Sequence, residues 1–289
     1  MKVLPYRNWL TLFLVCLPLV AQAKPALWQA QRDDQTLYLF GSIHIGTQKL
    51  YPLPQKALEA FKQSHQLWVE VDTRHISART RGKIKELIHL KPGQKLAQII
   101  PTSLYQRLQT KAKQLHLSMT QLDTIAPWYI SIILNQQFYQ KLGYDSSLGI
   151  DHYFLSLASQ THKPVRSLES VTAQFQVLAK LRKDQVQLLH QSIETHHAMK
   201  KTLHEIVHAW RSGQEEKLIE LLNEDPSNIA KDFSNDILKQ RNRQWLRKLT
   251  QIKTPGRQFV VVGALHLGGP DGLVRLLQKA GYQVKKISA

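Results

Sequence analysis

One short motif occurs twice, once near each end of this 289-residue chain, and it constrains the fold more than any other feature. An apolar run ends in Gly-x-x-His at residues 37–44 and again at residues 259–266. Apolar runs of this length followed by glycine are typical of buried β-strands. Because the carboxyl ends of parallel strands share one edge of a sheet, where open α/β proteins bind ligands, the repeat predicts that His44 and His266 lie in one crevice.

Two acidic side chains follow further strand-like segments. Glu70 lies in residues 66–72, and Glu169 directly follows residues 163–168. If these two strands are neighbours, the crevice holds two imidazoles and two carboxylates. Such a donor set suits Zn, Mn, Fe or Co, and an ion with an open coordination position would acidify a bound water. The alternative is that each Gly-x-x-His is a turn, with glycine chosen for backbone conformation and a histidine that is merely hydrogen-bonded.

The remaining pattern predicts an α/β protein with a large helical insertion. Helical periodicity covers about residues 77–161 and 171–253. Strands near both chain ends with helices between them indicate one domain, residues 24–289, built on a mostly parallel sheet. The strand-like segments are residues 27–31, 36–40, 66–72, 163–168, 258–262 and 282–287.

The first 23 residues have the pattern of a secretory signal peptide. Lys2 and Arg7 precede an apolar run at residues 9–20, and Ala21-Gln22-Ala23 supplies the small-x-small cleavage pattern. We therefore expect cleavage after Ala23 and a periplasmic or secreted protein with no transmembrane segment. Cys16 is the only cysteine, so any metal site in the mature chain must use His, Asp and Glu.

The formal net charge of +18 comes from few acidic residues rather than from basic tracts. Lys and Arg total 39 against 21 Asp and Glu, while the charged fraction of 21% is ordinary. This composition argues against a dedicated nucleic-acid arm, and a basic surface favours anionic partners through a field that salt weakens. We expect a peptide or another small substrate and no specific nucleic acid; the oligomeric state is left open.

A series of short motifs has the same order along the chain as in a known family. On these motifs the chain resembles the TraB/PrgY/GumN family, which includes the animal TIKI proteins. The resemblance implies the α/β fold of the wider erythromycin-esterase and ChaN-like group. It also implies a site that contains both histidines, the glutamate of the E-x-D strand and the arginine of the R-N pair. The motifs are Leu39-Phe40-Gly41-Ser42-Ile43-His44, Val69-Glu70-Val71-Asp72, Gly149-Ile150-Asp151, Leu168-Glu169 followed by Gln174, Arg241-Asn242 and Val262-Gly263-Ala264-Leu265-His266.

The resemblance leaves two functions open, since TIKI relatives are metal-dependent proteases, ChaN-like relatives bind haem, and the esterases use a histidine without a metal. The first is an exported metal-dependent hydrolase of peptides or amides, with Mn, Co or Zn held by His44, Glu70 and His266. Glu169 would then be a fourth ligand or general base, and Arg241 would stabilise the oxyanion. The second is a non-catalytic protein that captures haem, a metal or a signalling peptide in the same crevice.

A rival metal-binding pattern occurs inside the helical insertion. Residues 204–208 spell H-E-x-x-H, which in zinc proteases places two ligands on one helix face with the glutamate as base. At about 100° per residue, however, His204 and His208 fall away from the apolar stripe of their helix. The longer metzincin pattern also fails, because Arg211 stands where its glycine should be. We therefore expect both histidines to face solvent.

Overall fold

The computed structural model describes residues 23–194, 196–224 and 238–287, without the side chains of residues 196–198. The predicted signal peptide lies outside the described residues except for Ala23. Within the described ranges, no helix is both long enough and apolar enough to span a bilayer.

The described residues contain one six-stranded sheet, with strand order β4-β3-β5-β2-β1-β6. Strands β4, β3, β5 and β2 run parallel to one another, whereas β1 is antiparallel to both of its neighbours. The predicted α/β class with a mostly parallel sheet is thereby confirmed. The strands are β1 Leu27–Arg32, β2 Gln35–Ser42, β3 Gln66–Val69, β4 Val165–Ser167, β5 Gly256–Gly263 and β6 Gln283–Lys286.

The central strands are apolar on both faces because helices cover the sheet on both sides. On β5, Phe259 and Val261 belong to one apolar core, while Val260 and Val262 belong to a second core on the opposite face. A strand buried on both faces cannot alternate apolar with polar residues, which explains its continuous apolar run. Successive side chains along β2 likewise alternate between the two apolar cores.

Twelve α-helices are present in the described residues. Helices α1, α6 and α9 contribute to the first core, and α11 and α12 to the second. A third apolar cluster joins α3, α5 and α8 away from the sheet. The helices are α1 Gln55–Gln63, α2 Ala78–Ile88, α3 Thr102–Gln114, α4 Met119–Leu122, α5 Pro127–Lys141, α6 Ile150–Gln160, α7 Val171–Leu178, α8 Gln185–Glu194, α9 His196–Arg211, α10 Glu215–Asn223, α11 Gln240–Thr250 and α12 Leu273–Lys279.

Three strands are shorter than the sequence predicts, and β6 lacks one residue at each end of the predicted segment 282–287. Strand β4 begins at Val165, because Pro164 accepts a hydrogen bond from Leu67 N–H at 2.9 Å but has no N–H of its own to donate. Strand β3 ends at Val69, yet backbone pairing continues one residue further, with Glu169 N–H donating to the carbonyl of Glu70 at 2.9 Å. This contact places the two glutamates side by side.

Candidate functional site

The carboxyl ends of four neighbouring parallel strands carry four of the predicted site residues. His44 follows β2, Glu70 follows β3, Glu169 follows β4 and His266 follows β5. The fifth residue, Arg241, lies in the first turn of α11 and packs over the same edge. His44 and His266 therefore share one edge as predicted, and because β3 and β4 are neighbours, the two carboxylates join the same polar cluster.

The glycines of the two motifs are needed because a side chain would not fit there, and not for an unusual backbone conformation, since neither Gly41 nor Gly263 has a positive φ. A Cβ atom on Gly263 would lie 3.3 Å from Glu70 Oε1 and 3.6 Å from both His44 Nε2 and His266 Cδ2. The Gly263 N–H also donates to Glu70 Oε1 at 2.7 Å. Glycine therefore leaves an open space that the imidazoles and one carboxylate oxygen surround.

Arg241 is the cation at the centre of the cluster and is only 6% exposed. Its Nη2 lies 2.6 Å from both Glu70 Oε2 and Glu169 Oε1, and its Nε lies 3.1 and 3.2 Å from the two Glu169 oxygens. Its Nη1 lies 3.2 Å from His266 Nε2. One guanidinium thus faces two buried carboxylates, which leaves one negative charge in excess.

The two carboxylates differ in the balance between burial, which raises both pKa values, and their polar contacts. For Glu70, burial raises the pKa, but His266, His44, Arg241 and the Gly263 N–H outweigh it and lower the pKa to about 2. For Glu169, burial dominates and the pKa is raised despite its hydrogen bonds to Arg241. Glu70 is therefore the more strongly ionised of the two.

His266 is buried and held in one tautomer. Its Nδ1 lies 2.6 Å from Asn242 Oδ1, while the Asn242 amide nitrogen donates to the carbonyls of His266 and Asp271 at 3.3 and 2.9 Å. Because the Asn242 oxygen can only accept, the proton of His266 lies on Nδ1 and the lone pair on Nε2. Burial, with the charge of Arg241, lowers the pKa of His266 to about 3. The Trp245 ring packs against the imidazole at 4.3 Å between centroids.

His44 has the opposite environment, with a side chain that is 60% exposed. Its Nδ1 lies 3.0 Å from Oδ1 of Asp151, a residue in the first turn of α6. The surrounding protein removes part of the hydration of the imidazolium, which lowers its pKa, but the charge and hydrogen bond of Asp151 outweigh this and raise the pKa of His44 to about 9. At neutral pH and without a bound metal ion, this imidazole is therefore protonated on both nitrogens and positively charged.

Residue-by-residue inference missed the supporting side chains. Asp151 orients His44, Asn242 orients His266, and Gln174 donates to Glu70 Oε2 at 3.3 Å. All three lie in the short motifs that carry the family resemblance, and those motifs are the only sequence feature that points to them. Trp245 follows Arg241 by one helical turn, and the guanidinium carbon lies 4.5 Å from its ring centroid.

A cavity of about 870 Å³ opens onto this cluster. His44, Glu70, Arg241 and His266 line one part of it, whereas Glu169 lies behind Arg241 and does not form the wall. Apolar side chains of α7, α9 and α10 form a further part of the wall: Val177, Leu178, Ile206, Trp210, Leu218, Leu221 and Leu222. This volume is in the range of small-molecule sites, which are about 300–1,000 Å³.

The H-E-x-x-H pattern on α9 does not bring two ligands together in this cavity. His204 and His208 are both exposed, which confirms the solvent-facing prediction. Glu205 alone of the three motif residues lines the cavity, and its carboxylate lies 3.7 Å from Lys201 Nζ.

The residues best suited to hold a metal ion are His44 through Nε2, Glu70 through Oε1 and His266 through Nε2, which border the open space beside Gly263. Within the described ranges, however, no group of three or more His, Cys, Asp or Glu is gathered as a ready-made metal site. Arg241 donates to both Glu70 and His266, so it occupies part of the space between these side chains.

The fold and this cluster define an α/β protein with a polar site at the carboxyl edge of a mostly parallel sheet. The model of the TraB/PrgY/gumN family matches residues 26–286, so the chain belongs to this family.

Three relatives place the match in context. The chain is 29% identical to the uncharacterized protein YbaP of Escherichia coli K12 and 30% identical to YbaP of Shigella flexneri, in both cases over 88% of this chain and 92% of the relative. It is 32% identical to the metalloprotease TIKI1 of Danio rerio over 97 residues, which are 32% of this chain and 18% of the relative. No solved structure matches the chain.

Proposed function

We propose that the protein hydrolyses an amide or peptide bond at the cluster, with Mn, Co or Zn held by His44, Glu70 and His266. The observation that carries this proposal is the convergence of two imidazoles, a carboxylate and a guanidinium on one end of an otherwise mostly apolar cavity. The partial similarity to a relative named as a metalloprotease supports the same class of reaction.

The chemistry of these residues fits a divalent ion. His266 presents the lone pair of Nε2, and the Asp151 carboxylate fixes His44 so that its Nε2 faces the open space beside Gly263. Hydrogen bonds that orient a metal-ligating imidazole in this way are typical of such sites. The excess negative charge of the buried carboxylates favours an additional cation, although Arg241 must release Nε2 of His266 before that nitrogen can act as a ligand.

Each side chain then has a distinct role. A bound ion would polarise the substrate carbonyl and acidify a water molecule. Arg241 donates hydrogen bonds to the carbonyl oxygen as negative charge develops on it, because its guanidinium lines the cavity. We assign Glu169 the role of positioning Arg241. Glu169 lies behind the guanidinium, and its carboxylate already accepts hydrogen bonds from Arg241. Gln174 and the Gly263 N–H hold Glu70 in place.

A second candidate is capture of a ligand without turnover. Asn242 and Arg241 contact both ring nitrogens of His266, and Gly263 and Arg241 contact both oxygens of Glu70. A cluster with all of these atoms hydrogen-bonded is stable without a metal ion, and the cavity would then bind haem, a metal or a signalling peptide.

The experiment that separates these functions uses protein stripped of metal and then given Mn²⁺, Co²⁺ or Zn²⁺. We expect metal retained after gel filtration, detected by inductively coupled plasma analysis, and hydrolysis of a mixed peptide library detected by mass spectrometry. His44→Ala should abolish hydrolysis, and the matched control His204→Ala/His208→Ala should not. Absence of hydrolysis with every metal would contradict the hydrolase proposal and favour capture.

We also propose export, with the signal peptide removed after Ala23 and the mature protein in the periplasm or outside the cell. The support is the order of a basic start, an apolar run and Ala21-Gln22-Ala23. Mass spectrometry of protein recovered from the periplasmic fraction should show Lys24 as the first residue. Intact Met1 on that protein would contradict the proposal.

A further inference from the structure

Helix α7 is apolar, yet none of its residues is fully buried. Val177 and Leu178 are half-buried and line the cavity, and the same is true of Leu221 and Leu222 on α10 and of Ile206 on α9. Apolar side chains that face a cavity instead of a neighbouring element are typical of ligand sites. Among the residues that the structure describes, the wall above the cluster therefore has apolar surface that faces the cavity and is available to a substrate.

The hydrogen-bonding groups that this wall offers favour one of two kinds of apolar substrate, a peptide or an alkyl chain. A peptide chain would carry N–H and C=O groups into the cavity, and each buried group needs a hydrogen-bond partner. Helices α7, α9 and α10 use their backbone groups within their own turns, so they offer a few side-chain partners, namely Gln174, Thr202 and Glu205, but no row of backbone partners of the kind that a strand edge offers. An alkyl chain has no polar atoms and makes no such demand.

We propose that the substrate is an N-acyl amide whose long alkyl chain packs against α7, α9 and α10 while its carbonyl lies at the cluster. This assignment rests on the proposed function, because it places the cleaved bond beside His44 and Arg241. Hydrolysis adds one water, breaks the carbonyl C–N bond and yields a fatty carboxylate and a protonated amine. The cavity of about 870 Å³ is large enough to enclose a chain of this kind.

The test uses acetyl-, butanoyl-, octanoyl- and dodecanoyl-glycine, each below its micelle concentration, with the metal-loaded protein. Burial of one methylene contributes about 0.8 kcal/mol, so kcat/KM should rise roughly fourfold for each added methylene until the cavity is filled. A flat dependence on chain length would overturn the proposal. Preference for an acetylated peptide with Leu side chains of matched apolar area would assign the cavity to peptides instead.

Binding of the same series to the His44→Ala variant, measured by calorimetry, separates this proposal from the proposed function. Affinity that increases with chain length in this variant, together with no hydrolysis of any of the compounds by the unmutated metal-loaded protein, would support the apolar site and contradict the hydrolase. Hydrolysis without any dependence on chain length would support the hydrolase and contradict the apolar site.

Two Asn substitutions on α10 provide a matched pair. Leu221 lines the cavity, whereas Ile219 is equally half-buried on the same helix but does not line it. Leu221→Asn should reduce the ratio of dodecanoyl to acetyl kcat/KM by roughly tenfold or more, since a buried amide opposes the alkyl chain. Ile219→Asn should leave the ratio unchanged. Because each ratio is measured within one variant, partial loss of folded protein does not affect it, and equal ratios in both variants would contradict the proposal.

Discussion

The two Gly-x-x-His units have the same sequence pattern but opposite chemistry. His44 is 60% exposed, is paired with Asp151 and has a pKa raised to about 9. His266 is 4% exposed, packs against Trp245 and has a pKa lowered to about 3. The local motif therefore determines where each imidazole lies, whereas side chains from α6 and α11 determine its protonation state.

This difference matters for the proposed reaction. A buried, neutral His266 has its Nε2 lone pair available once Arg241 moves away, while His44 must lose a proton before it can bind a metal ion.

Replacement of Arg241 should destabilise the protein most, because it leaves Glu70 and Glu169 buried without their cation. We expect Arg241→Ala to lower the free energy of unfolding by about 3–5 kcal/mol, as measured by urea denaturation. Arg243→Ala is the matched control on the same helix, since its side chain is 59% exposed, and it should change stability by less than about 0.5 kcal/mol. Equal effects of the two variants would show that the cluster contributes little to stability.

The two histidines should differ in their effect on stability. His266→Ala removes a hydrogen bond to Asn242 and the contact with Trp245 in a buried site, and we expect a loss of about 1–3 kcal/mol in the free energy of unfolding. His44→Ala affects an exposed side chain and should cost less than about 1 kcal/mol. Thermal and urea unfolding of both variants would test this, and a larger loss for His44 would reverse the assignment of the two environments.

The pH dependence of stability should have opposite signs for the two imidazoles in metal-free protein. The pKa of His44 is raised from 6.5 to about 9, so its contribution is complete below pH 6.5 and is lost as pH rises through 9. The pKa of His266 is lowered from 6.5 to about 3, so its contribution is complete above pH 6.5 and is lost as pH falls through 3.

The pKa of Glu70 is lowered from 4.5 to about 2, so its contribution to stability is complete above pH 4.5 and is lost as pH falls through 2. Nuclear magnetic resonance titration of the imidazoles is the measurement, and Asp151→Asn should lower the pKa of His44 and leave that of His266 unchanged. A His44 pKa that does not change in this variant would contradict the role given to Asp151.

The smallest effect is expected from the H-E-x-x-H helix. His204→Ala/His208→Ala should change the free energy of unfolding by less than about 1 kcal/mol, since both side chains are exposed. Metal binding by this variant, measured by calorimetry, should equal that of the unmutated protein. Loss of metal binding would move the site from the sheet edge to α9.

The sequence predicts most of the sheet edge, because buried parallel strands leave a distinct apolar run that ends where the polar residues begin. The predicted strand-like segments at residues 27–31 and 36–40 correspond closely to β1 and β2. The environment of Arg241 could not be predicted from local pattern, since its two carboxylates come from strands that are 171 and 72 residues away in sequence. For the same reason, only the family motifs pointed to Asp151, whose partner His44 is 107 residues away.

Co²⁺ substitution tests most directly whether His44, Glu70 and His266 hold a divalent ion at the carboxyl edge of the sheet. We expect visible d–d absorption when Co²⁺ is added to the metal-free protein, loss of these bands in His44→Ala, and unchanged bands in His204→Ala/His208→Ala. Bands that persist in His44→Ala and disappear in His204→Ala/His208→Ala would contradict a site at the sheet edge, as would the absence of bands in the unmutated protein.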